Sequence, residues 1–294
     1  MKIENGVSYH ESINKMYEKV KADGVTNIVD RYNAQEKGRC PFCTQGLSCQ
    51  LCSMGPCRIG KDKPTGACGI DAAGMVVRNF THKNMLGTEA YTYHAIEAAK
   101  TLKATAEGKT PFEIKDVEKL KWFASQLGIE DEDVKELAKK VADLVIADLS
   151  SVEKSKLVEI FAPEKRKEVW KKLGIFPSGV FQELLTMGSS AMTNVDTNYI
   201  SLAKKSMAMS IATCMAAQLA LEIIQDILFG TPMPHESYAD LGILDPEFVN
   251  IAVDGHEPFI GMALIKLAEK DEIQEKAKAA GAKGLRIIGF IAVS

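Results

Sequence analysis

Outside one short stretch, the chain has almost no cysteine. Six of its seven cysteines lie between Cys40 and Cys68, and the rest of the 294 residues holds only Cys214. The composition is otherwise ordinary, with 46% apolar and 26% charged residues. Such crowding of thiols predicts either a metal site or a group of disulfides.

The sequence also lacks the marks of several protein classes. Its net charge of −3 provides neither a basic field for nucleic acid nor an acidic tail. The start, MKIENGVSYHES, lacks the charged-then-apolar layout of a signal peptide, and no uninterrupted apolar run is long enough to cross a membrane. These absences predict a cytoplasmic protein with no membrane span and no nucleic-acid partner. Disulfides are rare in that compartment.

Apolar residues recur at helical spacing through most of the first 240 residues. The clearest helical patterns cover roughly residues 10–35, 88–105, 113–127 and 131–149, and the run at 163–175 has a proline near a helix start and Gly174 near its end. A later run, 198–230, is apolar on nearly all sides at its centre, which predicts a helix buried between neighbours, with Cys214 as an inert core thiol. We therefore expect a mainly α-helical domain over residues 1–240, with the cysteines on a loop at 39–70.

The pattern changes at residue 245. An apolar strand is predicted at 248–253, a helix at 258–280 and a second apolar strand at 285–294. A strand, a helix and a strand of these lengths form a βαβ unit, so residues 245–294 read as the start of an α/β Rossmann-like domain with parallel strands. Ligands of such sheets gather beyond the carboxyl ends of the strands, where His256 stands.

The cysteine gaps run Cys40-x2-Cys43-x5-Cys49-x2-Cys52-x4-Cys57-x10-Cys68. A CxxC pair lets two thiolates reach one metal or cluster from a single turn, and the glycines and prolines between them let backbone amides face sulfur. Zinc ribbons separate their two pairs by a longer hairpin than the five residues found here. The spacing favours iron–sulfur chemistry, with zinc and disulfides as the alternatives.

The number of cysteines also bears on assembly. A [4Fe–4S] cluster takes four thiolates, and four of the six form a compact set. That set is Cys49, Cys52, Cys57 and Cys68. Cys40 and Cys43 remain as a pair, and two such pairs related by a twofold axis could enclose a further cluster. Because symmetric dimers are the commonest oligomers, we hypothesise a homodimer with a shared cluster on its axis.

These residues also carry a family resemblance. The run CPFCTQGLSCQLCSMGPCRI, with the later ACG, resembles the N-terminal cluster region of the anaerobic nickel–iron carbon monoxide dehydrogenases. The resemblance implies that the set of four binds a [4Fe–4S] cluster, cluster B, and that Cys40 binds cluster D between subunits. Many members place the second cluster D ligand where this sequence has Ser48, and Cys43 looks like its substitute. Its CxxC arrangement suggests a [2Fe–2S] cluster D and leaves [4Fe–4S] open.

A second resemblance concerns the catalytic metal. The segment DGHEP resembles the VxGHxP segment of the family, which implies that His256 binds the active Ni–Fe–S cluster C. The first cysteine that the family supplies to cluster C aligns with Ala292, so the ligand set is incomplete. We expect either part of a longer enzyme or a truncated paralogue, with clusters B and D but without cluster C. His94 matches one rung of a histidine ladder thought to pass protons, although a lone helical histidine is more often structural.

The resemblance as a whole implies the hybrid-cluster/CO dehydrogenase architecture and the oxidation of CO with water to CO2, two protons and two electrons, or the reverse. A ferredoxin-like protein would accept the electrons, and some relatives also pair with an acetyl-CoA synthase subunit. Three alternatives stay open: a hybrid-cluster protein related to hydroxylamine reductase, whose cysteines begin near residue 1; an electron relay or assembly partner without cluster C; and a zinc-stapled helical interaction module.

Overall fold

The computed structural model describes residues 7–234, 236, 243–255 and 258–292. Two compact units divide the chain, and each is described by itself. One is built from residues 1–45, 235–253 and 265–291, and the other from residues 46–234, 254–264 and 292–294. The chain is mostly helical, as the sequence predicts. The predicted domain boundary at residues 240–245 stays a prediction.

Thirteen α-helices and four short strands are assigned among the described residues. In chain order they are α1 (Glu11–Ala22), α2 (Ile28–Ala34), α3 (Pro41–Thr44), β1 (Ser48–Cys49), β2 (Cys57–Arg58), α4 (Ala72–Ala106), α5 (Val117–Gln126), α6 (Val134–Leu149), α7 (Lys156–Phe161), α8 (Glu164–Leu173), α9 (Val180–Ser190), α10 (Tyr199–Ala212), α11 (Leu219–Phe229), β3 (Val249–Gly255), α12 (Pro258–Ala268), α13 (Asp271–Ala279) and β4 (Leu285–Ala292).

In the smaller unit, α1 and α2 confirm the helical pattern of residues 10–35. The Asn27 side chain accepts hydrogen bonds from the amides of Val29 and Asp30 at 2.9 and 3.1 Å, which caps the start of α2. The one-turn helix α3 follows, with Pro41 in its first turn, where a missing amide costs nothing.

The same unit contains the two-stranded sheet of β3 and β4. The Lys283 amide donates to the Glu247 carbonyl at 2.7 Å, and the Val249 amide donates to the Gly284 carbonyl at 2.9 Å. Both bonds join the beginnings of the two strands, as a parallel pair requires. The predicted helix at 258–280 is in fact two helices, α12 and α13. The Gln274 amide group donates to the carbonyls of Ala268 and Leu285, which holds the bend between the two helices against β4.

The larger unit is organised around α4, which has 35 residues. Its buried alanines and leucine recur at the i, i+3, i+4, i+7 spacing of one helix face, and they lie in the main core with residues of α5, α6, α7 and α11. That face carries Ala95, Ala98, Ala99 and Leu102. The predicted start near residue 88 was wrong by about four turns. Residues 72–87 bury Arg78 and Thr81 beside apolar side chains, so their buried face is not recognisable from apolar spacing.

Helices α10 and α11 run on from each other through a π-helical turn at Thr213–Gln218. By length and composition, Tyr199–Phe229 could cross a membrane, contrary to the expectation that no segment could, but 56% of its most apolar window is buried within the protein. Cys214 lies in the π turn and is exposed, so the prediction of a core thiol was wrong. Its neighbours still crowd it enough that burial raises the pKa of the Cys214 thiol.

Candidate metal centre

A tight hairpin brings three of the cysteines together. Strands β1 and β2 pair in antiparallel register, with Cys49 opposite Cys57. The connecting chain turns at Gly55, where an added Cβ would lie 3.1 Å from the Cys49 carbonyl oxygen and 3.3 Å from the Cys52 carbonyl oxygen. A side chain there would force the backbone apart, so glycine keeps this loop narrow.

Cys68 joins the other three through a second glycine turn. The Gly69 amide donates to the Gly66 carbonyl at 2.9 Å, and Gly69 has a left-handed φ of +85°. An added Cβ at Gly66 would lie 3.6 Å from the Cys57 Cβ, so this turn packs closely on the hairpin. Cys49, Cys57 and Cys68 share a small core with Ile59, Ile70 and Met75. The four predicted cluster B ligands therefore lie on adjoining turns.

Several donors face the sulfur atoms. The Ala67 amide donates to Cys57 Sγ at 3.4 Å, and Arg78 Nη1 donates to Cys68 Sγ at 3.6 Å. The Thr193 hydroxyl, followed by the amides of Met54 and Gly55, lowers the pKa of the Cys52 thiol. Such donors favour the thiolate, which is the form of cysteine that binds metals.

Cys68 also favours the thiolate form, although burial, the largest single influence on its pKa, acts in the opposite direction. Burial raises the pKa of the Cys68 thiol, but the Ile70 amide, the Arg78 guanidinium and the Asn194 amide together hold it below its ordinary value. The surroundings of Cys52 and Cys68, the second and fourth cysteines of the set, thus both favour the thiolate form.

Arg78 is the most unusual residue beside the cysteines. It lies on α4, its side chain is only 1% exposed, and Nη2 donates to the Asp196 carbonyl at 2.9 Å. Nε has no hydrogen-bond partner, and within the part of the chain that the structure describes Arg78 forms no ion pair with a carboxylate. A guanidinium stays charged when buried, and burial is costly without negative charge nearby. The Cys68 sulfur, 3.6 Å from Nη1, would meet this need as a thiolate.

The donor set fits an iron–sulfur cluster. Four thiols on adjoining glycine turns, with amides and a buried cation aimed at sulfur, match the ligand type and hydrogen bonding that such clusters use. No group of three or more His, Cys, Asp or Glu side chains among the described residues is arranged to hold a metal ion. A cluster does not require its ligands to converge on one point, because each thiolate binds a different iron.

Cys40 and Cys43 lie at α3, one before the helix and one inside it, in the smaller unit. Cys40 is the residue before the helix, and its carbonyl accepts the Thr44 amide at 3.1 Å; Cys43 is inside the single turn. Cys40 is half-buried and Cys43 is exposed. None of the seven cysteines, all of which lie in the described residues, forms a disulfide.

The other predicted residues have different outcomes. His256, the predicted cluster C ligand, lies outside the described residues, as does His235. Ala292 is the last residue of β4. His94 is half-buried on α4 and meets the Tyr93 ring edge-on, with ring centroids 6.3 Å apart. Glu97 and Lys100, at neighbouring positions of the predicted histidine ladder on α4, form an ion pair at 2.6 Å.

Sequence reasoning missed the residues that surround the cysteines. Arg78 could have been noticed as a lone charge in the apolar run MVVRNF. No sequence pattern marks Thr193, Asn194 or Asp196, since only the fold brings these residues next to Arg78 and the cysteines. His82 was also missed: its Nε2 is buried without a hydrogen-bond partner, and burial, then the Arg78 charge, lowers its pKa.

Comparison with known proteins places this geometry in context. The family model described as "Prismane/CO dehydrogenase family" matches residues 47–294. A carbon monoxide dehydrogenase of Archaeoglobus fulgidus is 86% identical over 291 residues, which cover 99% of this chain and 47% of that protein. This chain spans about half the length of the curated relatives it matches.

Solved structures agree with that match. The Ni-free crystal structure of carbon monoxide dehydrogenase from Thermococcus sp. AM4 superposes with a TM-score of 0.88 at 33% identity, covering 97% of this chain and 46% of that one. An acetyl-CoA synthase/carbon monoxide dehydrogenase, described with NiZn[Fe4S4] and NiNi[Fe4S4] clusters in its alpha subunits, has a TM-score of 0.86 at 29% identity and covers 97% of this chain and 45% of that one.

Proposed function

Because this chain belongs to the Prismane/CO dehydrogenase family, we propose that it forms the electron-transfer part of a carbon monoxide dehydrogenase. The reaction is CO + H2O → CO2 + 2 H+ + 2 e−, or its reverse. The observation that carries the proposal is the set of four cysteines on adjoining glycine turns, with amides and Arg78 aimed at their sulfur atoms.

In this proposal the set of four holds a [4Fe–4S] cluster, cluster B. Its ligands are Cys49, Cys52, Cys57 and Cys68. When bound, the cluster supplies a one-electron relay. The protein contributes surroundings that lower the thiol pKa of Cys52 and Cys68, the hydrogen bonds to sulfur and the small apolar core that limits water around the site.

Cys40 and Cys43 would hold half of cluster D, shared with a second copy across a twofold axis. The exposed Cys43 and the half-buried Cys40 on a single turn suit a ligand pair that a partner completes. Both a [2Fe–2S] and a [4Fe–4S] cluster fit two pairs of thiolates. The protein would therefore be a homodimer.

The proposed catalytic roles of His256 and His94 rest on the family resemblance alone. His256 would bind the Ni–Fe–S cluster C, which supplies the site of CO and water activation, and His94 would assist proton transfer. A ferredoxin-like acceptor would take the electrons in the cytoplasm. The likeness to an acetyl-CoA synthase/carbon monoxide dehydrogenase supports an acetyl-CoA synthase subunit as a further partner.

Anaerobic purification followed by iron, sulfide, nickel and zinc analysis tests the cluster assignment. From clusters B and D together we expect about five irons per chain if cluster D is [2Fe–2S] and about six if it is [4Fe–4S]. Cys57→Ala should lose about four of them, whereas the matched control Cys214→Ala should lose none. Zinc without iron would overturn the proposal, and about four irons per chain without a shared cluster would overturn the dimeric part.

A second candidate is an electron relay without cluster C, because the cysteines clustered at residues 40–68 account for clusters B and D alone. Metal analysis combined with CO-dependent reduction of a viologen dye separates the candidates. Iron and nickel with turnover supports the enzyme, and iron without nickel or turnover supports the relay.

A further inference from the structure

Arg78 links the cysteine set to the loop between α9 and α10, residues 191–198. Arg78 Nη1 donates to Cys68 Sγ at 3.6 Å, and Nη2 donates to the carbonyl of Asp196 in that loop at 2.9 Å. One planar side chain therefore links a cluster ligand to a segment more than a hundred residues away in the sequence.

The loop is held in place on both sides. The Asp196 carboxylate accepts Ser201 Oγ at 2.6 Å, Lys205 Nζ at 3.0 Å and the Asn198 amide at 2.9 Å. Lys205 also donates to Ser190 Oγ at 2.8 Å, so it joins the end of α9 to the loop. These contacts fix the carbonyl that orients Arg78.

The same contacts leave the charge of Arg78 directed at sulfur. Lys205 pairs with the Asp196 carboxylate, so this carboxylate does not balance the charge of Arg78. The contact of Arg78 with Asp196 is to the neutral backbone carbonyl. Burial, and then the Arg78 charge, lowers the pKa of His82, one turn further along α4, so its neutral form is favoured. Arg78 is thus a buried cation whose anionic neighbour, among the described residues, is the Cys68 sulfur.

The loop contributes donors of its own. Two of its residues act on cluster ligands, the Thr193 hydroxyl on the Cys52 thiol and the Asn194 amide on the Cys68 thiol. Asn194 has a left-handed φ of 63°, a conformation that Asn adopts more readily than most residues. Donors from one loop therefore reach two of the four ligands.

We propose that Arg78 and the 191–198 loop, with Thr193 as its side-chain donor, raise the reduction potential of the cluster bound by Cys49, Cys52, Cys57 and Cys68. This inference rests on the proposed function. Four thiolates give the cluster a net negative charge, and one-electron reduction adds another without making or breaking a bond. A fixed buried cation and added hydrogen bonds stabilise the more negative state, so the reduced form is favoured.

The test is a redox titration of the anaerobically purified chain, followed by electron paramagnetic resonance of the reduced cluster. A Cys40→Ala, Cys43→Ala background removes cluster D, so the signal comes from the set of four. Arg78→Gln removes the charge, Arg78→Lys keeps it, and Thr193→Val removes one hydrogen bond with little change of shape. Arg166→Gln, an exposed arginine on α8, is the control with the same change in net charge.

We expect Arg78→Gln to lower the equilibrium constant for reduction of the cluster at least tenfold, which lowers the potential by 59 mV for a one-electron couple. Arg78→Lys should retain most of the wild-type potential, Thr193→Val should lower the potential by less than Arg78→Gln, and Arg166→Gln should leave it unchanged. Each variant is analysed for iron, because a shift counts only with four irons per chain.

An unchanged potential in Arg78→Gln with four irons overturns the inference. If Arg78→Gln does not retain its cluster, Thr193→Val decides, and an unchanged potential there overturns it as well. If the background protein itself binds no four-iron cluster, the proposed function fails and the inference fails with it. A lower potential in both variants supports the inference.

Discussion

Replacing Gly74 with alanine is a direct test of how the cysteine set is held. Gly74 lies in the first turn of α4, where the Asp71 side chain accepts its amide at 2.7 Å. An added Cβ would lie 2.7 Å from the Thr197 carbonyl oxygen and 2.8 Å from Ile70 Cγ1. Neither atom is the free end of a flexible side chain, so the helix start and the 191–198 loop would have to separate.

Two opposing effects set the magnitude. Alanine in place of a helical glycine favours folding by about 0.5–1 kcal/mol, and overpacking a close contact costs about 1–3 kcal/mol. We therefore expect Gly74→Ala to be less stable by about 1–2 kcal/mol. For a chain of this size, that lowers the melting temperature by roughly 2–8 °C. Iron retention should fall too, because the displacement reaches Ile70, next to the turn that carries Cys68.

Gly87→Ala on the same helix is the matched control. No atom lies within 4 Å of an added Cβ at Gly87, so the substitution should stabilise by about 0.5–1 kcal/mol and leave the iron content unchanged. Circular dichroism melts at one scan rate, with iron analysis of each sample, compare the two variants. If Gly74→Ala melts as high as Gly87→Ala with full iron, the close approach to Thr197 does not restrain the site.

Three further predictions concern the core, a buried carboxyl and the lone thiol. Phe123→Ala should cost about 3–5 kcal/mol in a denaturant melt, because this ring is fully buried, and a loss under 1 kcal/mol would contradict the packing. Burial raises the pKa of Glu183 above its ordinary 4.5, so wild-type stability falls as pH rises through the raised value. Glu183→Gln should therefore melt higher than wild type at neutral pH and equally below pH 4.5; a lower melt at neutral pH would contradict this. Alkylation of Cys214, followed by mass spectrometry, should still accelerate above pH 9.0, because burial raises its pKa; a plateau below pH 9.0 would refute the crowding seen around this exposed thiol.

The four cysteines proposed as cluster B ligands lie close together in the sequence, so proposing them as one set required no knowledge of the fold. Cys49, Cys52, Cys57 and Cys68 lie within twenty residues, and the glycines between them specify turns regardless of the rest of the fold. Regular apolar spacing similarly revealed α1 and α2, the charged amphipathic pattern revealed α6, and a proline and a glycine at its ends indicated α8. The errors came where packing departs from that spacing: the first four turns of α4 bury Arg78 and Thr81, and the π turn exposes Cys214 from a helix that looks apolar all round.

The residues around the sulfur atoms could not be predicted, because they are distant from the cysteines in the sequence. The Arg78–Asp196 hydrogen bond spans 118 residues, and the loop at Thr193 is fixed by α9 and α10, not by its own sequence. A cysteine motif therefore identifies what binds a cluster but says little about the charge and donors that set its potential. Because a guanidinium cannot lose its proton, a buried Arg78 without a carboxylate partner among the described residues favours an anionic sulfur at Cys68. This contact supports the proposed cluster independently of the spacing of the cysteines.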